Sequence, residues 1–323
     1  MKEIVAITVG DYNGIGPEVA LRAVVHKSIS RRCHPLLIGP WDVFRYYAER
    51  LHIPLNGVSI LEPGRAKRLT IEPGKISARA GKGAADAISA AVHLALRGFV
   101  SAIVTAPVSK KALHLAGLKA ADQTELLQQL TNSQRAAMML VSGGFRVGLV
   151  TAHLSLGAVT SALTRKLTRE KILTVHHALV HDWGIKRPRL ALLALNPHAG
   201  EGGDLGNEER RILSPTINAL RKRRIHLDGP FPADSFFGRH QNEDYDAVIA
   251  MYHDQGLIPL KMASFGRAVN VTAGLPVVRT SPDHGTAFDI AGKGIADPGS
   301  MIEAIKTAVV LAQTRRKTAS VAK

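Results

Sequence analysis

Short β-branched runs alternate with helical segments along the whole chain, and this alternation limits the fold more than any other feature. The runs are Ile4–Val9, Pro35–Gly39, Ala102–Thr105, Met138–Val141, Val147–Thr151, Leu190–Leu195, Ala247–Met251 and Val269–Thr272. Each is a mostly apolar stretch of strand length, the pattern of a strand buried on both faces. Between them, Ala84, Ala87, Ile88, Ala91, Val92 and Ala95 recur at helical spacing, as do Ile172, Val175, Leu179 and Val180. Each set lines one face of an amphipathic helix. Strands separated by helices predict an α/β fold with a largely parallel sheet. A chain of 323 residues holds about two domains of ordinary size.

The charge is one-sided. Forty-two Lys and Arg against 26 Asp and Glu give +16, a balance that favours anionic partners, from phosphorylated metabolites to nucleic acid. The basic clusters Arg165–Lys171, Arg221–Arg224 and Arg315–Lys317 fall on or beside predicted helices, where the plain reading is a solvated face. Eight Phe, five Tyr and two Trp, none interleaved with those clusters, leave no stacking platform for a single strand. Nucleic acid is therefore not an expected partner, and a non-catalytic nucleic-acid binder that uses the positive charge is the remote alternative. The last residues, Arg315–Lys323, read as a frayed end.

A single cysteine, Cys33, excludes an intramolecular disulfide framework and any Cys-rich metal site, and suits a reducing compartment. The first apolar run is too short for a secretory segment, and no stretch approaches the roughly 18 apolar residues of a membrane helix. The expectation is a cytoplasmic protein with no membrane partner.

The first strand leads into Gly10-Asp11-Tyr12-Asn13-Gly14-Ile15-Gly16-Pro17-Glu18, where Pro and an acid suit the start of a helix. A dinucleotide fingerprint beginning at Gly14 and Gly16 needs glycine at 19, where Val19 stands. At Gly200 and Gly202 the third place is Leu205. Neither is a Rossmann loop; the first is a tight turn or an anion site at a helix N-terminus.

Three histidines each follow or close a predicted strand among turn residues: His153 in Thr-Ala-His-Leu, His198 in Asn-Pro-His-Ala-Gly and His253 in Met-Tyr-His-Asp-Gln-Gly. Taken singly, each is more readily an ordinary hydrogen-bonded histidine than a ligand. In an open α/β sheet, however, the carboxyl ends of strands border the ligand crevice. Three imidazoles there, with a fourth position left open, would make a catalytic metal site.

The segments Asn196–Glu209 (NPHAGEGGDLGNEE), Gly229–Asp234 (GPFPAD), Ala250–Gly256 (AMYHDQG) and Val271–Ala287 (VTAGLPVVRTSPDHGTA) resemble the 4-hydroxythreonine-4-phosphate dehydrogenase family of pyridoxal phosphate biosynthesis. With Thr105-Ala106-Pro107 and the glycine loop, the resemblance covers nearly the whole chain. The run His284–Pro298 (HGTAFDIAGKGIADP) is also similar to the nucleotide-binding segment of isocitrate and isopropylmalate dehydrogenases.

The resemblance implies a two-domain fold of the isocitrate/isopropylmalate dehydrogenase type. Residues 1–118 plus 284–323 would form the first α/β domain and 119–283 the second, carrying the metal ligands and dimer contacts. It implies an NAD- or NADP-dependent oxidation of 4-phosphooxy-L-threonine to a β-keto acid that decarboxylates to 3-amino-2-oxopropyl phosphate. It makes His153, His198 and His253 ligands of one divalent ion (Zn, Mg or Co). The ion would ease loss of the hydroxyl proton and later stabilise the enolate.

By the same resemblance, Gln123, Thr124, Lys261, Asn270 and Arg279 contact substrate, with Asp234 and Asp254 close by. His284, Gly285, Thr286 and Ala287 hold the cofactor, for which a helix N-cap is the alternative reading. Lys261 suits proton transfer or the neutralising of a phosphate, and Arg279 suits a forked grip on an anion. A homodimer with shared active sites is also implied. The chain departs from the family at Asp122-Gln123-Thr124-Glu125, where the family has Gly-His-Thr-Glu. A neutral amide replaces a chargeable imidazole there. A paralogous branch with the same motifs oxidises four-carbon sugar acids such as D-threonate 4-phosphate.

Overall fold

The computed structural model describes residues 2–64, 69–120 and 122–321. The chain packs as two compact units, Met1–Gln134 with Leu275–Gln313, and Arg135–Gly274 with Thr314–Lys323. Residues 119–134 and 275–283 thus pack with the first unit, and 314–323 with the second.

The first unit contains β1 (Glu3–Thr8), α1 (Gly16–Val24), α2 (Lys27–Ser30), β2 (Cys33–Ile38), α3 (Trp41–Leu51), β3 (Ser59–Leu61), α4 (Ala78–Leu96), β4 (Ala102–Thr105), α5 (Lys110–Leu115) and α6 (Gln123–Thr131). The second contains β5 (Ala137–Ser142), β6 (Phe145–Leu149), α7 (Leu156–Ala162), α8 (Arg165–His181), β7 (Arg189–Leu193), α9 (Ser214–Arg221), β8 (His226–Phe231), α10 (Ala233–Gly238), β9 (Ala247–Ala250), α11 (His253–Ser264) and β10 (Val269–Ala273). The chain returns to the first unit through β11 (Arg279–Pro282) and ends in α12 (Gly299–Val321).

In the first unit the strands run β3-β2-β1-β4-β11, all parallel. Val5, Ala6, Ile7, Ile103 and Val104 are shut off from solvent, as an all-parallel sheet covered on both faces requires. The chain leaves β1 toward β2 on one side, while β4 lies on the other. The carboxyl ends of β1 and β4 therefore flank the topological switch point at which α/β sheets bind ligands. The loop after β1 is fixed there, with Asp11 N donating to Pro107 O (2.8 Å) and Ile15 N to Thr286 O (2.9 Å). A Cβ at Gly10 would lie 2.5 Å from Pro107 O, and one at Gly14 2.8 Å from Thr286 O. Both positions need glycine because another backbone occupies the space. Residues 10–20 are buried throughout, so this is a packed turn rather than an open anion site.

The second unit orders its strands β10-β5-β6-β9-β7-β8. β10, β5 and β6 pair antiparallel, and β6, β9, β7 and β8 are parallel. β5 and β6 are joined through Gly143-Gly144, with Gly143 at φ +56°, the freedom a two-residue hairpin demands. Its core gathers Leu140, Val147, Leu149, Leu193, Phe236, Val248, Leu257 and Leu260.

The C-terminal segment is not frayed. α12 continues to Val321 because Arg315 Nε donates to Asp182 Oδ1 (2.7 Å) and Thr318 Oγ1 to His181 O (2.8 Å); residues 322–323 lie outside the described residues. Among the described residues, no helix is long and apolar enough to cross a membrane.

Candidate active site

In the first unit the site is built around Arg279, the opening residue of β11. Pairing with β4 puts it opposite Ile103, and its side chain is 3% exposed. A buried guanidinium must have its donors satisfied. Arg279 Nε and Nη2 donate to Thr105 Oγ1 (3.1 and 2.6 Å), and Nη2 donates to Gln123 Oε1 (3.0 Å). Burial pulls its pKa down to about 10, opposed by the Asp122 carboxylate. Its charge is therefore retained at neutral pH.

Gln123 and Thr124 open α6. Asp122 caps the helix, its Oδ1 accepting from Thr124 N (2.8 Å) and Glu125 N (3.0 Å), which is the role aspartate serves at a helix start. Gln123 Nε2 donates to Ala106 O (3.3 Å). Its carbonyl serves Arg279, and one of its two amide N–H groups serves the backbone. Position 123 thus braces Arg279 as well as standing beside it.

Asp11, three residues past β1, is wholly buried. Its Oδ1 accepts from Asn13 N (3.1 Å) while Oδ2 meets no partner. Burial raises its pKa to about 6. The turn 284–287 rests against this loop. His284 Nδ1 lies 3.2 Å from Gly285 O, whereas Nε2 is shielded from solvent with no partner. Ala287 sits at φ +40°. The nearest following helix starts at Gly299, so the segment is not a helix N-cap.

In the second unit the three histidines emerge side by side. β6, β9 and β7 are consecutive parallel strands, and His153, His253 and His198 follow their carboxyl ends by four, three and five residues. The His153 and His253 rings lie 6.1 Å apart, tilted by 41°. Asp254 Oδ1 is 2.7 Å from His253 Nδ1. With Nδ1–H donated to that carboxylate, the Nε2 lone pair is left for a ligand, the orientation usual for a metal-binding imidazole. Among the described residues, however, no three His, Cys, Asp or Glu side chains already form a closed cluster.

His198 sits in a left-handed turn in which residues 198–202 all have positive φ. Glu209, 3% exposed, holds that turn. Its Oε1 accepts from Leu195 N (2.8 Å) and Asn196 N (2.9 Å), and its Oε2 from Asn196 Nδ2 (2.9 Å). Asp234 is exposed in the first turn of α10. Lys261 is exposed on α11, and Asn270 lies in β10. Asn270 Oδ1 is shielded from solvent and unpartnered, as an atom that receives its hydrogen bond from a ligand would be.

Sequence reasoning passed over Thr105, Asp122 and Glu209 as working residues. Asp122 carried a signal in its Asp-x-x-Glu spacing before an apolar pair, a helix-start pattern. Glu209 and Thr105 lie in the motifs that carry the family resemblance, but their partners are fixed only by the tertiary fold.

The two α/β units with their largely parallel sheet have the isocitrate dehydrogenase type of fold. Isocitrate dehydrogenase from Methylococcus capsulatus shares it at a TM-score of 0.54 and 16% identity, over 99% of this chain and 88% of that one. A family model of the pyridoxal phosphate biosynthetic protein PdxA matches residues 31–308, and the chain belongs to that family. A 4-hydroxythreonine-4-phosphate dehydrogenase of Aromatoleum aromaticum is 42% identical, over 97% of both chains. A D-threonate 4-phosphate dehydrogenase of Cupriavidus necator is also 42% identical, over 97% of this chain and 98% of that one. The crystal structure of the 4-hydroxythreonine-4-phosphate dehydrogenase of Klebsiella pneumoniae superposes with a TM-score of 0.88 at 37% identity, over 97% of this chain and 99% of that one.

Proposed function

We propose that the chain is an NAD- or NADP-dependent, divalent-metal-dependent dehydrogenase of a phosphorylated hydroxy acid. The substrate is 4-phosphooxy-L-threonine, oxidised to a β-keto acid that decarboxylates to 3-amino-2-oxopropyl phosphate in pyridoxal phosphate biosynthesis. The observation that carries this reading is the full-length similarity, at 42% identity, to an enzyme named for that substrate. When bound, a divalent ion would supply Lewis acidity to the hydroxyl and ketone oxygens, and the nicotinamide would accept hydride.

The chain's own residues have separate tasks. His153, His198 and His253 hold the ion, with Asp254 orienting the His253 ring. Arg279 offers an anionic group of the substrate a fork that is charged at neutral pH, held in aim by Thr105 and Gln123, and Thr124 adds a hydroxyl. Asn270 orients the substrate, and Lys261 neutralises phosphate or moves the proton. Asp234 stands nearby in the substrate shell. His284, Gly285, Thr286 and Ala287 receive the cofactor, His284 Nε2 being the donor or acceptor left open for it. A buried Cys33 thiol, raised to about 11 by burial, suits a reducing cytoplasm.

D-Threonate 4-phosphate is the second reading, favoured by an equally similar relative named for it. The two are separated by following nicotinamide reduction with each acid under the same conditions. Faster turnover of 4-phosphooxy-L-threonine supports the first. Turnover of D-threonate 4-phosphate alone replaces it with the second.

We also propose a homodimer with shared active sites. On α11 and its cap, Ile258, Met262 and Phe265 are 56, 72 and 89% exposed at spacings of four and three, a single apolar stripe. Lys261 lies in the same exposed turn, and the helix begins at His253. Phe265→Asp should yield monomers by sedimentation and lose activity in step with dissociation. A fully active monomer would show that the sites are not shared.

A further inference from the structure

The three basic clusters singled out in the sequence do not share one fate. Arg165–Lys171 begins α8, and Arg315 is paired with Asp182, but Arg221–Arg224 joins a second group of arginines far away in sequence. Pairing of β7 with β8 sets Arg189 opposite His226. The turn before β7 and the end of α9 are thereby drawn to one place. A groove of about 570 Å³ opens there, lined by Arg187, Arg189, Arg221, Arg224, His226 and Asp228 among others.

Four guanidinium groups meet one carboxylate in this groove. Asp228 Oδ1 is occupied by Arg221 Nη2 (2.7 Å), and Arg221 Nε donates to Leu227 O (2.8 Å). Arg189 lies over the Tyr245 ring, 5.3 Å from its centroid. Among the described residues, neither Arg187 nor Arg224 has an ion-pair partner. Like charges crowded this way repel one another unless an anion joins them. Lysines scattered on a solvated face would be free to move apart; Arg189, carried by β7, and Arg221, tied to Asp228 and Leu227 O, are held at the groove.

We infer that this groove binds a small polyanion through a di- or triphosphate group. Three uncompensated guanidiniums match the charge of a phosphoanhydride chain, and their planar forks match phosphate oxygens. The volume falls in the range of a small-molecule site. An extended nucleic acid is disfavoured because the charge is confined to one groove and Tyr245 is already covered by Arg189. The groove is at the amino-terminal ends of β7 and β8, whereas His198 and Asp234 follow their carboxyl-terminal ends. It is therefore separate from the metal and substrate residues, and the inference does not depend on the reaction assigned above.

The test is calorimetric titration of the full chain, at about 0.15 M salt where long-range attraction is screened, with inorganic triphosphate, ATP, adenosine and single-stranded DNA. Saturable binding of triphosphate and ATP, but not adenosine, is expected, with one site per chain. The double variant Arg187→Gln/Arg224→Gln should weaken both by at least about tenfold while melting at the wild-type temperature, since both side chains are exposed. Asp228→Asn, which removes the only carboxylate, should strengthen them. Absence of saturable binding, equal affinity in the double variant, or binding of DNA without triphosphate would overturn the inference. If ATP binds and inorganic triphosphate does not, the base rather than the phosphoanhydride is recognised, and the inference also fails.

Discussion

The two units carry the proposed site residues in opposite ways. In the first, Arg279 is buried and its hydrogen bonds to Thr105 and Gln123 are made within the protein. In the second, His153 and His198 are exposed and His253 is half-buried at strand ends, the His253 ring being oriented by Asp254. The first assembly is part of the fold, so changing it disturbs stability and chemistry together. The second contributes little to the core, so changing it should disturb chemistry alone.

The largest effect expected from this contrast is at the histidines. His253→Ala or His153→Ala should lower turnover by about a thousandfold or more if the ion supplies the chemistry, yet shift unfolding free energy by no more than about 0.5 kcal/mol. Activity assays paired with denaturant unfolding check both halves. A large loss of stability would break the comparison from the side of the second unit.

Arg279→Ala should fail in both respects. It removes the charge and leaves Thr105 Oγ1 and Gln123 Oε1 without their donor, a cost of about 2–4 kcal/mol, along with the grip on the substrate's anionic group. Arg279→Lys should recover part of the stability but little of the affinity, because a single ammonium cannot reproduce the fork. Equal stability in Arg279→Ala and wild type would show that the buried assembly is not part of the fold's support.

Asp11 sharpens the comparison through pH. Its carboxyl binds a proton more readily folded than unfolded, with a pKa of about 6 against 3.8. Its contribution to stability therefore falls as pH rises from about 4 to about 6 and stays at the lower level above that. Asp11→Asn should stabilise the chain at pH 7.5 by about 1–2 kcal/mol and flatten this part of the pH–stability curve. An unchanged curve would mean that Asp11 is not desolvated.

The smallest effect is at Gln123. In Gln123→His the imidazole would face the Arg279 guanidinium, which disfavours its protonation. A change of a few-fold in KM for the two phosphorylated acids is expected, growing as pH falls and the ring begins to charge. Kinetics unchanged at every pH would remove position 123 from substrate recognition.

Much of this arrangement is written in local sequence. The eight apolar runs all become strands, and the histidines stand out because each follows one of them. β3, β8 and β11 are less legible for physical reasons. β3 has three residues, β8 contains Gly229-Pro230, and β11 reads Arg-Thr-Ser-Pro, a composition of turns that only burial between neighbours makes a strand. The same is true of Arg279, whose Thr105 and Gln123 partners lie 174 and 156 residues away. The unit boundaries and the arginine groove likewise depend on which strands pair, a property no single window contains.

The account rests on the second unit's histidines acting through a divalent ion, and that is open to a direct measurement. The protein is stripped of metal, its content verified by elemental analysis, and nicotinamide reduction with 4-phosphooxy-L-threonine is followed as one divalent ion is titrated back. Activity should be absent in the stripped protein and return in proportion to bound metal up to about one ion per site, while His253→Ala neither binds the ion nor recovers. Full activity in the verified metal-free wild type would contradict the account.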